Sequence, residues 1–247
     1  MTRKRPLILA HRGARQEAPE NTIAAFQRGL ELGADGFELD VRLSQDLEVI
    51  VLHDPSTRRV AKGARALRAE NHAYAELRRL DLGGGAYIPT LREAVELARE
   101  RSALVNIELK HNLKRKRHLI AKVVALLNEI PNAPEFVFLS SFDPRIVFSL
   151  ARALPNLEVG WLVHKKQLWL RRAPGWPWVG ARALHPEHSM VTPALIQRVK
   201  ERGGKVNTWT VNEVHEAERL AALGVDCIIT DVPGDIVHGL GASIRAG

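Results

Sequence analysis

Polar residues able to do acid–base or metal chemistry recur near the ends of short apolar runs. His11-Arg12-Gly13 follows the run Leu7 to Ala10, and Glu38-Leu39-Asp40 lies inside Gly36 to Val41. His53-Asp54 follows Val49 to Leu52, Glu108-Leu109-Lys110 ends the run that starts at Leu104, and Trp209-Thr210-Val211-Asn212 ends the run that starts at Lys205. Side chains two apart on a strand face the same way, with backbones about 6.6 Å apart. Glu38 and Asp40 therefore project together, and so do Glu108 and Lys110. Two carboxylates on one strand repel each other in a dry setting unless a cation lies between them. With Glu108 from a neighbouring strand they form a hard-oxygen cage. Three carboxylates without a thiolate favour Mg²⁺ or Ca²⁺ over a structural zinc site. The competing reading is a buried ion network in which these acids pair with Lys110, Arg12 or Arg42.

His11 and His53 are the candidates for general acid and general base, since an unperturbed imidazole titrates near about 6.5. Strict alternation puts Arg12 on the side opposite His11. Gly13 lets the chain turn there, so the arginine also reaches the same region. The fork of Arg12 and the point charge of Lys110 both suit a phosphate oxygen.

These side chains need a scaffold that gathers strand ends. Apolar runs rich in Val, Ile and Leu alternate with helical patterns along the 247 residues, the pattern of βαβ units and a parallel sheet. A (β/α)8 barrel takes about 250 residues and keeps its working residues at the C-terminal ends of its strands, where the polar residues above fall. The expected strands begin at Leu7, Gly36, Leu104, Glu135, Leu157, Arg182, Lys205 and Asp226. The count of eight holds if the segment from Gly36 to Leu52 supplies one barrel strand and a hairpin extension. Residues 55–89 break the rhythm, with one short helix near Ala73 to Arg79 and a Gly83-Gly84-Gly85 run. A connection this long inside a compact domain is functional or a small insertion. A closing helical turn is expected at Asp235 to Leu240. No linker interrupts the chain, so residues 1–247 are read as a single barrel domain. A doubly wound open sheet is the alternative, but the glycine-rich nucleotide fingerprint is missing after the first strand.

The formal net charge is +8. An excess of this size points to an anionic substrate, an anionic membrane or nucleic acid. Much of it is arginine scattered over helix faces, and no zinc-finger or RNP-like aromatic pattern is present, so nucleic acid is not expected. Cys227 is the sole cysteine, which excludes an intrachain disulfide, and its apolar neighbours predict a buried, inert thiol. No apolar stretch approaches the roughly 18 residues of a membrane span, and the first strand begins too early for a signal peptide. The expected location is cytoplasmic. Residues 161–180 combine His164-Lys165-Lys166, Trp169, Arg171-Arg172, Trp176 and Trp178. That mixture predicts weak contact with an anionic membrane surface. His185, His188 and the run Lys114-Arg115-Lys116-Arg117 are read as surface or loop residues.

Taken in order, several blocks together resemble the glycerophosphodiester phosphodiesterase family. They are His11-Arg12-Gly13, Pro19-Glu20-Asn21-Thr22, Glu38-Leu39-Asp40-Val41, His53-Asp54-Pro55, Ile88-Pro89-Thr90-Leu91, Glu108-Leu109-Lys110, Ser140-Ser141-Phe142, Trp209-Thr210-Val211-Asn212 and Gly224-Val225-Asp226 with Thr230-Asp231. The resemblance implies a barrel with an insertion after the second strand. It also implies a divalent cation held by Glu38, Asp40 and Glu108, acid–base roles for His11 and His53, and phosphate contacts from Arg12 and Lys110. Trp209 would form an apolar wall for the alcohol part of the substrate, and Asn21 would brace the first loop. The implied reaction is metal-dependent hydrolysis of a glycerophosphodiester to an alcohol and glycerol phosphate. A lysophospholipase D-like or sphingomyelinase D-like activity on membrane lipids is the alternative among enzymes. A catalytically silent barrel that binds phosphate or nucleic acid through its basic surface is the alternative outside them. One departure from the family pattern is Leu47, where a glycine commonly follows the aspartate; it affects a turn.

Overall fold

The computed structural model describes residues 5–61, 63, 65–166 and 178–246. Eight strands form a closed parallel barrel: β1 (Leu7–His11), β2 (Gly36–Leu43), β4 (Leu104–Leu109), β5 (Val137–Ser141), β6 (Glu158–Val163), β7 (Ala183–Pro186), β8 (Lys205–Thr208) and β9 (Cys227–Thr230). Closure comes from β1, which pairs in parallel with β9 on one side and β2 on the other. The remaining strand, β3 (Val49–Val51), hangs antiparallel from the end of β2 with Val41 opposite Val51. The expected barrel strand with a hairpin extension is therefore what forms. Leu47 lies in that hairpin with φ 66°, a left-handed backbone that glycine adopts freely and leucine does not.

Helices cover the outside, and their starts are written in the sequence. In α1 (Ile23–Glu31), Thr22 accepts a hydrogen bond from the Ala25 N–H, and Gly33 ends the turn with φ 89°. Thr90 and Glu93 form a reciprocal capping box at α3 (Leu91–Glu100). Capping carboxylate or hydroxyl with proline in the first turn opens α6 (Pro144–Ala153) and α7 (Pro193–Lys200), from Asp143 and Thr192 respectively. Between β4 and β5 runs α4 (Lys116–Glu129), and α8 (Val214–Leu223) precedes β9. The apolar faces of these helices join the outward side chains of the barrel in one large core that includes Phe26, Phe37, Leu39, Val95, Ile107, Leu150 and Leu220. No helix among the described residues is long and apolar enough to cross a membrane.

Three details depart from the sequence reading. The strand expected from Glu135 begins at Val137, because Asn132 with φ 58° and Pro134 start a short helix, α5 (Ala133–Phe136). The closing turn is a 14-residue helix, α9 (Pro233–Ala246), that buries Ile236 and Leu240. The third concerns His185, expected at the surface and instead wholly buried inside the barrel. Gly160 on β6 makes the room: a Cβ there would fall 2.1 Å from His185 Nε2. His188 is half-buried and pairs with Glu216 at 2.8 Å, while Lys114 and Arg117 are exposed as expected. Cys227 is buried.

The insertion holds α2 (Tyr74–Leu77) and a 3₁₀ turn at Ala69–Asn71. It builds a satellite core of its own from Ile50, Leu52, Leu67, Leu77 and Ile88. This cluster seats the segment that carries His53 against the barrel.

His185 generates a stability prediction. Its Nε2 lies 2.9 Å from Asn207 Nδ2, so the amide donates and the imidazole is neutral. Burial drives its pKa down to about 3. The unfolded chain takes up a proton near about pH 6.5 while the folded one does not, so folding stability falls as pH drops from about 6.5 towards 3. His185→Gln removes this contribution. In urea titrations between pH 6.5 and 4.5, stability of the wild type should fall more steeply than that of His185→Gln by about 1.4 kcal/mol per pH unit. Equal slopes would show that the ring is not a buried neutral group.

Candidate active site

The strand registers bring the polar residues to one end of the barrel. His11 on β1 lies beside Glu38 on β2, Asp40 beside Glu108 on β4, and Glu108 beside Ser140 on β5. The carboxylates of Glu38, Asp40 and Glu108 each offer an oxygen within 4.8 Å of the others, and all three are buried. Lys110 reaches into the cluster, with Nζ 2.7 Å from Glu108 Oε1 and 3.0 Å from Asp40 Oδ1. Arg12 Nε lies 3.2 Å from Asp40 Oδ2, without the alignment of a hydrogen bond. Its donor therefore stays available to another oxygen. The Arg12 side chain enters the mouth because the residue itself takes φ 58°, followed by Gly13 with φ 79°. The turn expected at Gly13 thus begins one residue earlier.

Three negative charges against two positive ones in a buried volume leave the acids unevenly ionised. Burial, then the charges of Asp40 and Glu108, pushes Glu38 well above the usual carboxylate range. Glu108 is raised as well, chiefly by burial. For Asp40 the burial penalty is overcome by Lys110 and Arg12, which hold its pKa below the usual range. Asn21 braces the same carboxylate by donating from Nδ2 to Asp40 Oδ2 at 2.9 Å. The sequence reading assigned Asn21 the first loop to brace; its side chain also orients a cluster acid. Arg42, a possible partner of these acids in the ion-network reading, holds the His53 carbonyl and Asn112 instead, at 2.8 and 2.7 Å.

The donor set fits a hard divalent cation. The oxygens are carboxylate, they are close together, and the Lys110 ammonium already stands among them as a cation. On the floor, Asn106 Oδ1 and Ser140 Oγ are buried and make no hydrogen bond among the described residues, so further polar atoms face this region.

Each histidine is held by a carboxylate. His11 Nδ1 lies 2.7 Å from Asp231 Oδ1, and His53 Nδ1 lies 2.7 Å from Asp54 Oδ1. In the neutral ring the Nδ1–H donates to the carboxylate and Nε2 carries the lone pair. His11 Nε2 is 3.9 Å from Glu38 Oε2, so it faces the acid cluster. Burial lowers the pKa of both rings, that of His53 to about 4. Asp231 is further steadied by Asn212, which donates to its second oxygen at 2.9 Å. The roles of Asp54 and Asp231 were not foreseen in the sequence. Both sit just past strand ends, a position that marks a residue as available without naming its partner.

These residues line a cavity of about 320 Å³. Its polar side is formed by His11, Arg12, Glu38, His53, Glu108 and Lys110, and its other side by Phe142, Leu162, Trp209 and Ile229. Trp209 meets Phe142 edge-on at 5.5 Å and donates from Nε1 to the His185 carbonyl at 2.8 Å, which fixes the plane of the wall. A larger cavity of about 600 Å³ opens at the opposite end of the barrel, beside Leu104, Glu158, Lys205 and Cys227. The acids and imidazoles of the mouth do not line it, so the smaller cavity is the candidate site. Every predicted site residue lies in or against it; Asp40 stands behind its wall, held by Lys110, Arg12 and Asn21.

The sequence profile of the Glycerophosphoryl diester phosphodiesterase family matches residues 11–235. A glycerophosphodiester phosphodiesterase of Caldanaerobacter subterraneus is 35% identical over 244 residues, covering 94% of this chain and 96% of its own. One from Bacillus altitudinis is 31% identical over 242 residues, covering 92% and 94%. Among solved structures, an Oleispira antarctica phosphodiesterase in complex with the product sn-glycerol-3-phosphate is similar with a TM-score of 0.83 and 29% identity, covering 96% of this chain and 97% of that one. A glycerophosphodiester phosphodiesterase of Agrobacterium tumefaciens gives 0.78 and 28%, covering 94% and 99%. With a matching barrel, an acid cluster at its mouth and this profile over nearly its whole length, the chain belongs to the glycerophosphoryl diester phosphodiesterase family.

Proposed function

We propose that the protein hydrolyses glycerophosphodiesters to glycerol phosphate and a free alcohol at the mouth of the barrel, using His11 and His53 as general acid and base. As a family member it is a phosphoric diester hydrolase. The observation that carries the finer reading is the meeting of three buried carboxylates between two imidazoles, each anchored through Nδ1. Glu38, Asp40 and Glu108 would hold one divalent cation, Mg²⁺ or Ca²⁺, which when bound polarises a phosphoryl oxygen.

The residues of the chain do the rest. Arg12 and Lys110 neutralise the diester and oppose the charge that builds up as the nucleophile adds to phosphorus. One imidazole accepts the proton of the nucleophile through its free Nε2: attack by water gives glycerol phosphate directly, whereas attack by the neighbouring glycerol hydroxyl gives a cyclic phosphate that water then opens. As the bond from phosphorus to the alcohol oxygen breaks, the other, which has taken up a proton on Nε2 with the anionic diester bound, gives that proton to the oxygen. Both rings are neutral near pH 7, the state a base requires, and the anionic diester raises the proton affinity of the ring that acts as acid. Phe142 and Trp209 present an apolar face to the carbon skeleton of the substrate. A cavity of about 320 Å³ suits a small glycerophosphodiester better than a long acyl chain.

A weak contact of residues 161–180 with anionic membranes belongs to the same proposal. Trp178 supports it, being 86% exposed. Trp169, Arg171, Arg172 and Trp176 lie outside the described residues.

Hydrolysis of glycerophosphocholine should stop in chelator and return with Mg²⁺ or Ca²⁺, and His11→Ala and His53→Ala should each lower turnover about 10²-fold or more. Near-normal turnover in either variant would remove that imidazole from the reaction. Glu38→Gln relieves repulsion among the acids, so in chelator it should be more stable to urea than wild type by about 1 kcal/mol. Added Mg²⁺ should raise the midpoint of the wild type and leave that of Glu38→Gln unchanged; a less stable variant in chelator would contradict the repulsion argument. Sedimentation with phosphatidylserine vesicles at low salt should retain a fraction of the protein that is released at high salt, and no binding at low salt would end the membrane reading.

A further inference from the structure

The two carboxylates that anchor the imidazoles belong to parts of the chain far apart in sequence, yet charged side chains join them. Asp54, behind His53, accepts from Arg59 Nε at 2.7 Å. The same guanidinium donates through Nη2 to Glu20 Oε1 at 2.7 Å and through Nη1 to Glu20 Oε2. On its other side Glu20 meets Arg15 at 3.4 Å, and Arg15 meets Asp231, behind His11, at 3.5 Å. Arg12 also donates to Glu20, at 3.1 Å. A chain of ion pairs therefore runs from one imidazole to the other, with Glu20 at its centre.

The two halves of this chain differ in tightness. The contacts of Arg59 are short and two-pronged on Glu20, whereas those of Arg15 are single and longer, at 3.4 and 3.5 Å. Arg59 comes from the insertion after β3 and is 45% exposed; Glu20 comes from the loop after β1 and is only 8% exposed. Glu20 keeps Arg12 and Arg15 as partners whether or not Arg59 is present, so its buried charge does not depend on the half-exposed Arg59, and the geometry calls for another role. His53 is carried by a loop segment past the end of β3, whereas the acids are carried by barrel strands. A loop residue needs an external support to hold a reacting geometry.

We propose that Glu20 and Arg59 are positioning residues: by tying the carboxylate behind His53 to the loop that carries Arg12, they set the separation across which the two imidazoles handle protons. This rests on the acid–base reading above. It assigns the insertion a task in the reaction, that of supplying the guanidinium which grips both carboxylates. A lysine at position 59 keeps the charge but loses the planar fork, which puts two nitrogens on Glu20 while a third holds Asp54.

The test is steady-state kinetics on glycerophosphocholine with saturating Mg²⁺, using Arg59→Gln, Arg59→Lys and Glu20→Gln, with urea midpoints measured alongside. Misplacing a reacting group by about 1 Å can cost up to about 10²-fold. Both Arg59 variants should lose about tenfold or more in kcat with KM changed less than about threefold, and their urea midpoints should stay at the wild-type value. Combining Arg59→Gln with Glu20→Gln should cost no more than the larger single loss, since both break one link. Wild-type kcat in Arg59→Lys would overturn the proposal, as would losses that simply multiply in the double variant. If Glu20→Gln does not fold, the comparison of Arg59→Lys with Arg59→Gln decides alone. His53→Ala separates the two readings: inactive His53→Ala beside a normal Arg59→Lys sinks only this proposal, and an active His53→Ala sinks the acid–base reading beneath it.

Discussion

Three like charges held in one buried volume govern the mouth of this barrel. Glu38, Asp40 and Glu108 cannot all stay ionised in low dielectric without cations beside them. Lys110 and Arg12 supply two positive charges, both inside the cluster rather than around it. The result is uneven: Asp40, next to both cations, keeps its charge, while Glu38 and Glu108 are driven towards the protonated form. An arrangement this costly for folding is understandable where function requires it, since a divalent cation or an added phosphate charge changes the balance of the whole set.

The scaffold divides the work between rigid and adjustable parts. The acids and Lys110 stand on or at the ends of paired strands, β2 and β4, whose register fixes them side by side. The imidazoles stand where strands give way to loops, and each is tied through Nδ1 to a carboxylate, so that in the neutral ring Nε2 carries the lone pair. Besides Gly13, two left-handed residues complete the loop after β1. Arg12 with φ 58° and Asn21 with φ 57° both aim side chains at Asp40. Non-glycine residues hold this conformation at a cost of about 1–2 kcal/mol each, offset by buried, charge-assisted contacts.

Barrel interiors are normally apolar, and this one carries a polar thread below the site. His185 accepts from Asn207, which also donates to Glu158 at 3.1 Å, and the His185 carbonyl holds the Trp209 indole. The apolar wall of the cavity is thereby connected to packing deeper in the barrel. Gly160 is part of that design, because any side chain there would displace the imidazole.

Much of this is legible in the order of residues alone. The period-two spacing of Glu38 with Asp40 and of Glu108 with Lys110 is a local property of strands, and so is the placement of polar residues at strand ends. Capping signals such as Thr90 with Glu93 are local too. These features point to eight strands, a hairpin on the second and an acid cluster at one end. What only the tertiary structure decided was partnership across long distance. His11 and Asp231 are 220 residues apart, and no local pattern says which carboxylate will back which imidazole. The burial of His185 depends on Gly160, a residue on another strand with no side chain to announce the space. The outcome turned on closing β1 against β9: that closure brings the first and last strand ends together, and contacts made by closure leave no trace in the spacing of neighbouring residues.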